Sequence, residues 1–148
     1  MSERIETAAL RDFSVSLCRA AGLSADDAAL LTDSILFAEC RGVTSHGLLR
    51  LPQYIARLRS GATASNVPMP FTMESGGTAR LDAQNGLGQL AGRKASDKAE
   101  ELAAKYGVSF VAVANSNHFG TGAWYAIPAA RRGCLLYTSD AADDLTRV

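Results

Sequence analysis

The sequence has no surplus of charge of either sign, no apolar run of membrane-spanning length, few cysteines and only two histidines. Lys+Arg and Asp+Glu both number 15, so nothing in the balance draws the chain to nucleic acid or to an anionic membrane surface. The N-terminal stretch "MSERIETAALRDF" is charged throughout and reads as neither a signal nor an anchor. Three cysteines without motif spacing point to reduced thiols, and with them to a cytoplasmic location. The two histidines stand far apart, so no metal site is expected.

What is present suits a globular protein. The 148 residues match the length of one ordinary domain, and a composition 47% hydrophobic and 20% charged is too apolar for a disordered chain. Residues 6–21 place Ala9, Leu10, Phe13, Leu17 and Ala20 at helical spacing before Gly22. A second helix opens with Ser24 as N-cap and Asp26 and Asp27 in its first turn, and closes at Gly42. A third is expected over "RGVTSHGLLRLPQYIARLRSG", where Pro52 must begin a helix or kink one. Residues 62–77, "ATASNVPMPFTMESGG", lack periodicity and read as a surface connection. Beyond them "TARLD" is a strand, "LGQLAGRKASDKAEELAAKYG" a helix, "VSFVAVAN" a buried strand and "GAWYAIPAARRG" a helix. That alternation with short links implies an α/β fold, N-terminal helices leading into a parallel sheet covered by helices. No internal repeat occurs. The expected organisation is a helical segment at residues 1–61, the start of an α/β domain at 62–133, and a tail at 134–148.

Two stretches carry chemistry. On a single third helix, His46, Arg50 and Tyr54 would stack four residues apart as one polar stripe, with Leu51, Ile55 and Leu58 packing beside it and Ser45 either capping the helix or bonding the His46 ring. Guanidinium binds carboxylate through parallel hydrogen bonds, and imidazole moves protons near neutrality. Together they suit a 2-oxo or 2-hydroxy acid, although the same spacing also fits a solvated helix surface. The second stretch, "VAVANSNHFGTGAWY", ends a strand and opens a helix. Turns of this kind bind ligands in open α/β sheets, and the following helix start favours an anion. His118, Phe119, Gly120, Thr121 and Gly122 lie in it; the alternative is a tight connection whose His and Asn side chains only cap. "GLGQLAG" partly imitates a dinucleotide-binding turn. It stands away from its strand, and the next strand ends in "AVANSN" without the required acid, so an ordinary Rossmann site is rejected.

Together, "RGVTSHGLLRLPQYIARLRSG" and "NSNHFGTGAWYA" resemble the malate/L-lactate dehydrogenase family, which also holds ureidoglycolate and sulfolactate dehydrogenases and piperideine-2-carboxylate reductases. The resemblance runs from Ile5 to Gly133 and includes "DAQNGLGQLAG" between the motifs. It implies a non-Rossmann α/β fold, N-terminal helices followed by the start of a parallel or mixed sheet, with NAD or NADP as cofactor and a homodimer acting on a small 2-hydroxy or 2-oxo acid. By position, Ser45 and His46 match the family's proton-relay pair. Arg50 matches the arginine assigned as proton donor or substrate contact, Tyr54 the tyrosine nearby, and His118, Phe119, Gly120, Thr121 and Gly122 a cofactor-binding segment. Gly122-Ala123-Trp124-Tyr125 stands where members often have Ala-Gly-Tyr-Tyr. The implied reaction is hydride transfer of the malate or lactate type; alternatives are reduction of a cyclic imine carboxylate, or a non-catalytic ligand-binding or dimerising domain.

The last stretch, "CLLYTSDAADDLTRV", breaks the strand–helix alternation. From Cys134 to Asp143 it matches, residue for residue, the translation of a transposon-type sequencing adapter. The expectation is therefore that the encoded protein's own sequence stops near Gly133 in this chain, that the chain is the N-terminal part of a longer enzyme and inactive alone, and that Asp140, Asp143 and Asp144 are not the family's relay aspartate.

Overall fold

The computed structural model describes residues 5–136. Leading the chain are helices α1 (Thr7–Ala20) and α2 (Ala25–Glu39), then two short 3-10 turns, Thr44–His46 and Leu48–Arg50, and helix α3 (Leu51–Arg59). A hairpin of β1 (Phe71–Ser75) and β2 (Thr78–Asp82) precedes helix α4 (Gly88–Tyr106), strand β3 (Phe110–Ala114) and helix α5 (Ala123–Arg131). β2 pairs antiparallel with β1 and parallel with β3, so the sheet is mixed, in the order β1-β2-β3. No helix among the described residues is long and apolar enough to cross a membrane.

Helix α2 starts where the sequence places it: Ser24 Oγ accepts the Asp27 N–H at 3.1 Å, a cap worth about 1 kcal/mol. Asn66 ties this corner down, accepting from Ser24 N at 2.9 Å and donating to Gly22 O at 2.8 Å. α2 is the central helix, and Leu31 and Ile35 are essentially inaccessible. They pack with Cys18, Leu51, Tyr54, Leu58 and Leu87, while Met69, Leu81, Ala83, Ala91 and Ala95 form a second cluster under the sheet. Leu90 on α4 touches both clusters, so α4 joins the helical layer to the sheet.

Four features depart from the sequence expectations. On α1 the buried positions are Ser14 and Cys18, while Phe13 is 61% exposed; the helix turns its small residues inward because it lies close against α2. Residues 62–77 are more than a connection, since they contain β1. All of that strand except half-buried Phe71 is exposed, which removes the alternating pattern that marks a half-buried strand. β3 is not a buried strand. Phe110 is 67% exposed, because β3 is paired along one edge only among the described residues. The single third helix is replaced by the two 3-10 turns and α3. Pro52 begins α3 at its N-terminus, where a missing N–H costs nothing. Within the expected tail, Cys134 donates its N–H to Ala129 O. Residues 137–148, including Asp140, Asp143 and Asp144, lie outside the described residues.

Candidate active site

Gly47 separates the expected stripe into two pieces. Its ψ of −145° leaves the helical region, and a Cβ there would run into the Glu39 carboxylate. That carboxylate accepts the Leu48 N–H at 2.8 Å, so α2 dictates where the chain turns. His46 therefore ends one 3-10 turn, Arg50 ends the next, and Tyr54 alone lies within α3. The ladder is broken between His46 and Arg50, yet the side chains still gather at one end of α3.

Ser45 Oγ lies 3.0 Å from His46 Nδ1, the second of the two roles open to that hydroxyl. Arg50 Nε donates to Ser45 O at 2.7 Å, and Nη1 donates to Gln53 Oε1 at 3.0 Å. Nη2 has no partner among the described residues. Tyr54 is not part of an exposed stripe. It is buried, and its hydroxyl meets His118 Nδ1 at 2.7 Å across the interface between α3 and the β3–α5 turn. The rings of His46 and His118 lie 5.3 Å apart, centre to centre. The two sequence motifs, far apart along the chain, thus meet in one place.

The β3–α5 turn is braced from three sides. Asn117 Nδ2 donates to Asn85 O at 3.0 Å and Gly86 O at 2.9 Å, and its Oδ1 accepts from Arg57 Nη2 at 2.8 Å. Asn115 Nδ2 donates to Asp82 Oδ1 at 2.9 Å, a bond that, with the Gln84 N–H, holds that carboxyl below its usual range. The asparagines flanking His118 therefore tie loops together. Tyr125 donates to Phe119 O at 2.5 Å and stacks on the Phe119 ring at 5.6 Å; burial pushes its phenol well up. Thr121 O accepts the Trp124 N–H, and Gly122 caps α5 with no side-chain bond to the helix amides. Gly120 is buried, with φ +80°.

The "GLGQLAG" glycines have a packing role. A Cβ on Gly88 would collide with the backbone carbonyls of Asn117 and His118, and one on Gly92 would come within 2.9 Å of the Tyr125 hydroxyl. The segment that imitates a phosphate loop is the seat on which the His118 turn rests.

Electrostatics distinguish the groups. Burial raises the Tyr54 phenol, against the Gln89 hydrogen bond and the Arg50 charge. His118 is lowered, first by partial burial of the ring and then by His46 and Arg50. Although the residue is exposed, its Nδ1 edge is enclosed by Tyr54 and the Gly120 N–H. Sequence reasoning missed Gln89, Arg57 and Tyr125. Only Gln89 left a trace, as an amide among small and apolar residues. A broad apolar hollow of about 1290 Å³, lined by Ala95, Ala99, Phe110, Val113 and Tyr125, lies behind this turn and includes neither histidine. The side chains suited to acid–base chemistry meet elsewhere, where the two motifs converge.

Comparison with known proteins gives a consistent result. A family model described as malate/L-lactate dehydrogenase matches residues 5–145. A malate dehydrogenase of Pyrococcus abyssi is 36% identical over 132 residues, 89% of this chain and 36% of that protein. An L-sulfolactate dehydrogenase of Methanocaldococcus jannaschii is 39% identical over 105 residues, 71% of this chain and 30% of that protein. The solved structure of malate dehydrogenase from Pyrococcus horikoshii aligns with a TM-score of 0.85 at 32% identity, covering 88% of this chain and 38% of that one. The chain spans about a third of the length of the curated relatives it matches.

Proposed function

Because the chain belongs to the malate/L-lactate dehydrogenase family, we propose that the full-length protein transfers hydride between NAD or NADP and C2 of a small 2-hydroxy or 2-oxo acid. The observation that carries this reading is the meeting of His46 and His118 at 5.3 Å, within reach of the Arg50 charge. Malate and sulfolactate, named for two relatives, are both small hydroxy acids with a carboxylate. In this reading residues 1–61 carry the catalytic turn, and residues 62–133 begin the cofactor-binding part of a homodimeric enzyme.

Arg50 binds the substrate carboxylate through the part of its guanidinium not engaged by Ser45 and Gln53. When the acid is oxidised, C2 loses hydride as its C–O bond becomes C=O, and the hydroxyl proton must leave. His46 takes that proton on Nε2 while donating Nδ1–H to Ser45 Oγ; reduction runs the same path backwards. Tyr54 lines the substrate side. The turn from His118 to Gly122 fits part of a dinucleotide. The start of α5 lacks a side-chain cap, which suits an anionic group, and the half-open Phe119 ring offers a flat apolar surface. When bound, the nicotinamide supplies the acceptor or donor of hydride.

The test uses the full-length protein with a panel of malate, lactate, sulfolactate and related acids, and both nicotinamide cofactors. Arg50→Ala and His46→Ala should each cost on the order of 3 kcal/mol in kcat/KM, roughly a hundredfold. Undiminished turnover in both variants would overturn the assignment.

A further inference from the structure

Gln89 is fully buried in the first turn of α4, where nothing polar is needed for packing. A buried amide is costly unless hydrogen-bonded, and this one is only partly satisfied. Its Oε1 has no partner among the described residues. Its Nε2 donates to the Tyr54 hydroxyl at 2.6 Å, and that hydroxyl meets His118 Nδ1 at 2.7 Å. The Gly120 N–H reaches the same nitrogen at 3.3 Å.

The direction of this chain of bonds follows from what each group can do. An amide nitrogen only donates, and a tyrosine hydroxyl has one proton to give. With Gln89 donating to it, Tyr54 sends its proton to His118. The Gly120 N–H also can only donate, so two donors converge on Nδ1. That nitrogen must accept, which leaves the proton of the neutral ring on Nε2. Rotating the Gln89 amide would draw the Tyr54 proton away from the histidine. It would also leave a buried NH₂ group unpaired, a worse outcome than one unpaired carbonyl oxygen.

We infer that Gln89 is a positioning residue. Acting through Tyr54, it holds His118 as the neutral form protonated on Nε2, ready to donate a hydrogen bond to a carbonyl or carboxylate oxygen of the ligand. The inference deepens the reading of the site as a binding centre for an oxo or hydroxy acid and its cofactor, and it rests on that reading for its ligand. It also divides the labour between the two histidines: His118 orients, while His46 exchanges the proton.

The test is long-range ¹H–¹⁵N NMR of the histidine rings in the full-length protein, with a His118→Gln variant assigning the signals. The wild-type His118 ring should be protonated on Nε2 by about tenfold over the other neutral tautomer, the ratio one net hydrogen bond supplies. Gln89→Met fills the same volume without a donor, so the tautomer ratio should fall several-fold and the titration midpoint should rise. Tyr54→Phe cuts the same chain with Gln89 in place and should do likewise; it decides the matter if Gln89→Met does not fold. A wild-type ring protonated mainly on Nδ1, or a ratio unmoved in the folded variants, would sink the inference. None of these signals depends on turnover, so failure of the hydride-transfer proposal would show separately, as an inactive enzyme with the described tautomer.

Discussion

The two histidines of this chain occupy turns built in opposite ways. His46 sits on a 3-10 turn whose ring touches the neighbouring Ser45 hydroxyl. Its turn is tied down by the Arg50 bond to Ser45 O and, through Leu48, by Glu39. His118 sits on a turn held to α3 by Arg57, to the β2–α4 loop by Asn117, to α4 by close backbone contact, and to α5 by Tyr125. The same side chain is lightly held in one place and braced on several sides in the other, and the difference lies in the surroundings. Proton transfer needs a ring with an unoccupied nitrogen. Orientation needs a ring whose tautomer is fixed, as two donors converging on Nδ1 would fix that of His118.

That contrast can be broken most directly at Gly88. Gly88→Ala places a methyl group against main-chain carbonyls that cannot swing aside, and overpacking of this kind should cost about 3 kcal/mol. The expected result is a lower urea midpoint together with displaced NMR signals from residues 115–122. Signals of residues 44–47 should stay close to their wild-type positions. Unchanged stability would mean that the turn is not seated on α4. Next in size, Asn117→Ala removes several bonds between loops and should cost about 2 kcal/mol, against less than about 1 kcal/mol for Ser45→Ala. Equal losses in equilibrium unfolding would erase the distinction between a braced turn and a loose one.

The smallest effect is pH dependence. The folded state holds His118 below its ordinary value of 6.5, so the unfolded chain binds the proton more readily. The stability this confers is complete above 6.5 and is lost as pH falls through the folded value. Urea midpoints between pH 7.5 and 5 should therefore fall more steeply for wild type than for His118→Gln. Parallel slopes would show that the ring is not held neutral.

Much of this architecture was legible from local signals. Ser24 with Asp26 and Asp27 marked the start of α2, "TARLD" is β2, and the turn after β3 lies where the strand–helix alternation placed it. The failures have physical causes. β1 was unreadable because its side chains point mostly into solvent and show no periodic contrast. The His46–Arg50–Tyr54 spacing imitated one continuous helix, whereas Gly47 breaks the segment where it stands and Pro52 marks the first turn of α3. The convergence of Tyr54 with His118 depends on how α3 meets the β3–α5 turn, which no local pattern encodes. Gln89 stayed hidden because its meaning comes from two partners remote in sequence.

Gly88 and Gly92, one helical turn apart on α4, bear a consequence of their own. Where a side chain separates two elements, a rotamer change can absorb a small movement, as a spring absorbs a jolt. At Gly88 main chain rests on main chain, with no such slack, while Gly92 seats the Tyr125 ring. A roll or slide of α4 at Gly88 would press directly on the carbonyls of Asn117 and His118, next to the imidazole.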